Sequence, residues 1–238
     1  MEEWIPIGYL LSAALFIFGL KKLGHPRTAP RGNQYGALGM LVAVITTVVK
    51  MQAAGEAEWT LIIAGLVVGS VIGIIMAVRV EMTGMPELVA LFNGFGGAAS
   101  ALVALSESWK YIEDADLALP TGLNIQVIMV AAGLSALVGW MTLTGSILAM
   151  FKLKGGISVF GKWFKTPTWG PTWLNPVKVL LVLSVFALIY LSIGDPRNTD
   201  YLWAIIAISC ILGIVLVLPI GGADMPVVVS LLNSLSGI

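Results

Sequence analysis

Residues 84–97 read GMPELVALFNGFGG and residues 224–237 read DMPVVVSLLNSLSG. The two stretches align without a gap at a constant offset of 140 residues, from 84 to 224, and share Met, Pro, Val, Leu, Asn and a final Gly. Proline at the start of a helix has its φ already set and gives up an N–H that would be orphaned there. Each copy therefore predicts a helix that begins at Pro86 or Pro226 and opens into an apolar run. Seven residues further, Asn93 and Asn233 lie two turns in, about 10 Å along an axis rising roughly 1.5 Å per residue. In a membrane that depth is hydrocarbon, where an unsatisfied polar group costs several kcal/mol. Both amides are expected to face protein or trapped water.

Composition supplies the membrane. Of 238 residues, 58% are hydrophobic and 11% charged, against about 25% charged in soluble domains, and the mean hydropathy is +0.96. The class implied is all-α, a polytopic transmembrane helix bundle embedded in lipid. The formal charges cancel and no basic stripe is present, which argues against a nucleic-acid partner. The single cysteine, Cys210, rules out an internal disulfide and a thiolate metal cluster, and reads as a small core hydrophobe. The acidic start Met1-Glu2-Glu3 lacks the basic region of a secretory signal, so the first span is read as retained.

Spans are expected at about 5–20, 36–51, 59–78, 86–106, 123–151, 176–193 and 201–218, with an eighth that starts at Pro226 and is cut short at Ile238. A span needs about 20 residues, so the chain reads as a piece of a longer polypeptide. The stretch KKLGHPRTAPRGNQYG (21–36) reads as a linker with the only histidine, His25, solvated among Lys22, Pro26 and Arg27. Residues 107–116 read as an acidic connection. In the third span Gly65, Gly69 and Gly73 form a doubled small-xxx-small spacing suited to close packing, and Gly94, Gly96 and Gly97 flatten the fourth beside Asn93. Thr142, Thr144 and Ser146 put a polar stripe on the fifth, where hydroxyls commonly bond their own backbone. Further on, GGISVFGKW imitates a phosphate-binding loop but places Trp163 where the magnesium-binding hydroxyl is required. With Trp163, Trp169, Trp173 and four lysines, Lys152 among them, residues 152–175 read as an interfacial anchor.

Placing the amino terminus outside puts ten of the thirteen basic residues inside and leaves Lys50, Lys110 and Arg197 outside. Of the thirteen acids only Glu81, Glu87 and Asp224 lie inside, and all three flank the repeat copies. Glu87 and Asp224 sit near positive helix ends, where capping alone would account for each. With Arg79 and Glu81 they make a charged cytoplasmic mouth over the two asparagines, suited to an ion path or to docking of a soluble domain.

MPELVALFN ahead of its glycine-rich stretch, together with GADMPVVVSLLNS, resembles the membrane domain of the beta subunit of proton-translocating nicotinamide nucleotide transhydrogenase. The resemblance covers essentially the whole chain and includes VEMTGMPE (80–87), Thr144-Gly145-Ser146 and the order of spans. It implies an enzyme that transfers hydride between NAD(H) and NADP(H) while protons cross a bacterial inner membrane, with residues 1–238 as the proton-conducting membrane domain. It further implies that Asn233 lies in the proton path, that Asp224 is the acid ahead of it, and that Ser146 is a hydroxyl associated with coupling. Glu87 also matches the family pattern. Several members carry histidine where this chain has Asn93, and an amide does not ionise near neutrality. Asn93 and Asn233 are therefore expected to hold a water chain while the titrating group belongs to a partner helix.

The implied partners are membrane helices of the alpha side and an NAD(H)-binding subunit, with the complex a dimer. NADP(H) would belong to a soluble domain expected after one further span. Residues 1–238 lack a strand-turn-helix G-x-G-x-x-G context, so this piece is expected to bind no nucleotide and to hold no hydride-transfer residue and no metal. Two other classes suit the same residues: a secondary transporter with parallel repeats, and a structural membrane anchor for soluble partners.

Overall fold

The computed structural model describes residues 4–54, 59–113, 124–159, 162–166 and 168–237. Among the described residues there are eight α-helices: α1 Trp4–Leu23, α2 Ala29–Ala54, α3 Trp59–Arg79, α4 Met85–Glu113, α5 Ile125–Leu153, α6 Leu174–Gly194, α7 Asp200–Val217 and α8 Met225–Ser236. The first seven are long and apolar enough to cross a membrane, and α8 has 12 residues. The expected all-α multi-pass bundle is what forms. A short antiparallel ribbon after α5, β1 Ile157–Val159 with β2 Lys162–Phe164, is its one addition among the described residues.

The expected spans are extended at two places, each for a local reason. The stretch at 21–36 is a linker only over 24–28, because α1 runs on to Leu23 and α2 already begins at Ala29. Pro30 falls in the first turn, where its missing N–H is harmless, and the His25 carbonyl takes the N–H groups of Thr28 and Ala29. Likewise α4 runs on to Glu113 instead of stopping near Ser106. Its acids pair along the helix surface: Lys110 Nζ donates to Glu107 at 2.9 Å and Trp109 Nε1 to Glu113 at 2.8 Å. Asp114 and Asp116 of the expected connection lie outside the described residues, as do Met1-Glu2-Glu3, Gly161, Ile238 and the Trp163 side chain. Trp169 and Trp173 are exposed and stack edge to face with centroids 5.5 Å apart.

The chain divides into two compact units, Met1–Ala77 and Val78–Ile238. In the first, α1 and α2 form an antiparallel hairpin. Gly19 lies against the Gly32 carbonyl, Ser12 Oγ donates to Gly39 O at 2.7 Å, and the Tyr9 and Thr47 hydroxyls are 3.1 Å apart. No residue of α3 is buried, and Leu61, Ile63, Val67 and Ile74 are all exposed, as on a helix whose solvent is lipid. Gly65, Gly69 and Gly73 have open space where a side chain would stand, so their expected close packing is not made among the described residues.

In the second unit α5 is the axis, and α4, α6, α7 and α8 all pack on it. Glycine permits the closest approaches. A Cβ on Gly97 of α4 would stand 2.8 Å from Thr142 Cβ, and one on Gly139 of α5 would strike the Gly97 carbonyl. Toward α7, bare Gly213 lets Thr144 Oγ1 reach Cys210 O at 2.9 Å. Ala136, Met141, Val185, Ile205 and Val217 fill the core between the helices.

The substitution Gly139→Ala is expected to destabilise the second unit by about 1–3 kcal/mol, the usual range for overpacking, as read by unfolding of the chain in detergent. Gly69→Ala is expected to leave the same unfolding curve unchanged.

Candidate functional site

The repeated sequence builds a repeated structure. A 3-10 turn, Met82–Gly84 or Gly222–Asp224, leads into a helix with proline at its second residue. Both copies then open on one groove of about 780 Å³, lined by α4, α8 and Leu153 of α5. Its walls use matching positions: Pro86 with Pro226, Val89 with Val229, Asn93 with Asn233, Gly96 with Ser236. Those spacings of three and four residues are one face of a helix, so each copy turns the same face to the groove.

Asn93 is half-buried, and its Nδ2 donates to Ser146 Oγ at 2.9 Å. Ser146 on α5 is fully buried, and it fits because Gly94 is bare: a Cβ there would stand 3.2 Å from Ser146 Cβ. The other buried serines of the second unit spend their hydroxyls on their own helix, Ser108 on Leu105 O, Ser192 on Ile189 O and Ser209 on Ile205 O. Ser146 instead bonds across to α4. One turn earlier, Thr142 is also fully buried, and its Oγ1 has no partner among the described residues. Thr144, the third member of the stripe, is spent on the carbonyls of Trp140 and Cys210.

Asn233 differs from its counterpart. Its side chain is exposed, lines the open groove and has no hydrogen-bond partner among the described residues. The expected enclosure is thus met by protein at Asn93 and not at Asn233, whose amide must be covered or hydrated when lipid surrounds the helices. Of the four residues expected to form a charged mouth, Arg79, Glu81 and Asp224 are exposed and Glu87 is half-buried, and none lines the groove. None of the four makes an ion pair or a side-chain hydrogen bond among the described residues. Asp224 sits at the α8 N-cap without a capping bond, while Glu87 occupies the first turn of α4, where the helix end favours a negative charge.

Sequence reasoning missed Lys152. Counted with the interfacial lysines, it is instead buried in the last turn of α5, 5% exposed. Its Nζ donates to Val217 O at 3.1 Å, Leu218 O at 2.5 Å and Ile220 O at 2.6 Å. These carbonyls close α7 and begin the turn to α8. A helix C-terminus leaves carbonyls without intrahelical partners and carries partial negative charge, and an ammonium with three donors answers both. A lysine near the end of an apolar run looks the same in sequence whether it snorkels to water or turns inward.

Residues 5–238 fit the family described as NAD(P) transhydrogenase beta subunit. Two proteins of Rhodospirillum rubrum, each named NAD(P) transhydrogenase subunit beta, are 34% identical to the chain over 233 residues, which is 96% of this chain and 47% of the relative. The chain spans about half the length of the curated relatives it matches.

Removing the hydroxyl with Ser146→Ala leaves the Asn93 amide without its partner and is expected to cost about 1 kcal/mol. Ser192→Ala, which deletes a bond within one helix, is expected to cost less in the same denaturation of the chain in micelles.

Proposed function

The chain belongs to the NAD(P) transhydrogenase beta subunit family, and from that premise we propose that it is the proton-conducting membrane domain of an enzyme coupling hydride transfer between NAD(H) and NADP(H) to proton movement. The observation that carries this reading is the groove shared by Asn93 and Asn233, with Ser146 behind Asn93. An amide donates and accepts hydrogen bonds without ionising, and a hydroxyl does the same. Two amides along one groove, one of them backed by a buried hydroxyl, can therefore order a file of water, each molecule taking about 30 Å³. A proton passes along such a file when a titrating group at one point loads it. That group is supplied by a membrane helix of the alpha side, which also covers the open flank at Asn233.

The nucleotides bind elsewhere: NADP(H) in a soluble domain following this one, NAD(H) on a partner subunit, in a dimeric complex of a bacterial inner membrane. With the amino terminus outside, Arg79, Glu81, Glu87 and Asp224 face that soluble domain. Their lack of ion-pair partners among the described residues leaves them available to it. Nucleotide occupancy changes proton access only if the soluble domain contacts the mouth differently in its two states.

The test is the whole complex in sealed vesicles. Asn233→Leu, which keeps volume and removes the amide, is expected to abolish nucleotide-dependent proton uptake in an assembled complex; uptake at the parent rate would overturn the reading. Solute uptake without nucleotide would indicate a transporter instead. Asn93→His places a group with an ordinary pKa of about 6.5 in the groove, and is expected to add a titrating limb to the pH profile of proton uptake. A profile identical to the parent's would remove position 93 from the path.

A further inference from the structure

We infer that Lys152 is a positioning residue that sets the register of α8 and so the place of Asn233 in the groove; the inference rests on the proton-path reading above. α5 holds both repeat copies by side-chain bonds. At Ser146 it bonds Asn93 of the first copy, and at Lys152 it bonds the lead-in to the second. Six residues separate these points, about 9 Å along the helix, and that fixed length sets where the two asparagines stand relative to each other.

The lead-in leaves little play. From Ile220, the last acceptor of Lys152, the chain passes extended Gly221 and the 3-10 turn Gly222–Asp224 directly into α8. A Cβ on Gly222 would lie 2.8 Å from the Lys152 carbonyl, so the turn lies directly against this residue's backbone as well as its amine. Beyond it, Met225 is fully buried, and Leu232 packs on Gly145 of α5. An apolar side chain of the same length could fill the space but would leave the Leu218 and Ile220 carbonyls without this donor and free to shift, with Val217 O keeping only the Ile220 N–H.

Lys152 also begins the segment that carries the β-ribbon and the Trp169–Trp173 pair. That segment returns to the same turn, where Gly170 packs directly on Pro219, between the acceptors at Leu218 and Ile220. The turn into α8 is thus held by Lys152 and touched by Gly170. A soluble domain that displaces this segment therefore acts on α8, and Lys152 is the fixed point against which the helix moves.

The experiment compares Lys152→Met, Lys152→Gln and Lys152→Arg in the full transhydrogenase complex reconstituted in vesicles. Two quantities are read: protons taken up per hydride transferred, and cross-linking of a Val89→Cys, Ser230→Cys pair in a Cys210→Ala background by a short bifunctional thiol reagent. Lys152→Met is expected to lower both at least threefold, with Lys152→Arg restoring at least half of each. Parent values for both in assembled Lys152→Met would overturn the proposal and leave the lysine a simple helix cap. Should Lys152→Met fail to assemble, the Gln and Arg variants decide, since a cap alone predicts equal stoichiometry and cross-linking in the two. Cross-linking reports register without reference to protons, so it still decides if Asn233→Leu shows the proton-path reading to be wrong.

Discussion

Hydrocarbon offers no hydrogen bonds, and that constraint accounts for the polar architecture of this chain. Some buried hydroxyls turn back on their own helices, as at Ser108, Ser192 and Ser209, while Ser12 reaches Gly39 O on the neighbouring helix. Where a polar group cannot be satisfied locally, another helix must come close enough to serve it. The Asn93–Ser146 bond requires α4 and α5 in near-contact, and the glycines at 94, 97 and 139 provide it. The same rule brings the Lys152 amine to the carbonyls that end α7. Polar need and backbone proximity thus specify each other around α5.

Much of this is legible in the sequence because it repeats. Proline followed seven residues later by asparagine, in two copies, states a helix start twice over and an amide two turns in, which protein encloses at Asn93 and leaves exposed at Asn233. Lipid-facing spans announce themselves by composition, and the structure places seven helices long enough to cross. The family's motifs marked Asn233, Asp224 and Ser146, and the structure adds that Ser146 reaches Asn93, while Thr144 is occupied by backbone carbonyls. Position in the stripe could not separate the three hydroxyls. Which one is used depends on the bare backbone of Gly94 on a different helix.

What was not legible has a common cause: the partners are backbone atoms, which have no letter in the sequence. The acceptors of Lys152 are carbonyls of Val217, Leu218 and Ile220, supplied by apolar residues far along the chain. The start of α2 was hidden because a proline suits both a linker and a first helical turn, and the choice falls to the His25 carbonyl. The long end of α4 was hidden because acids that look like a solvated loop also pair at helical spacing, as Glu107 and Glu113 do.

The glycine seam between α4 and α5 joins helices that are neighbours along the chain. Because loop closure between adjacent segments is entropically cheap, these two can dock as soon as both have left the ribosome and entered the bilayer. α7 follows two helices later, bringing the carbonyls that Lys152 awaits, and α8 is the last described helix to arrive. The groove between α4 and α8 is accordingly completed only after its α4–α5 scaffold is in place, so the second asparagine is delivered to a first that is already seated.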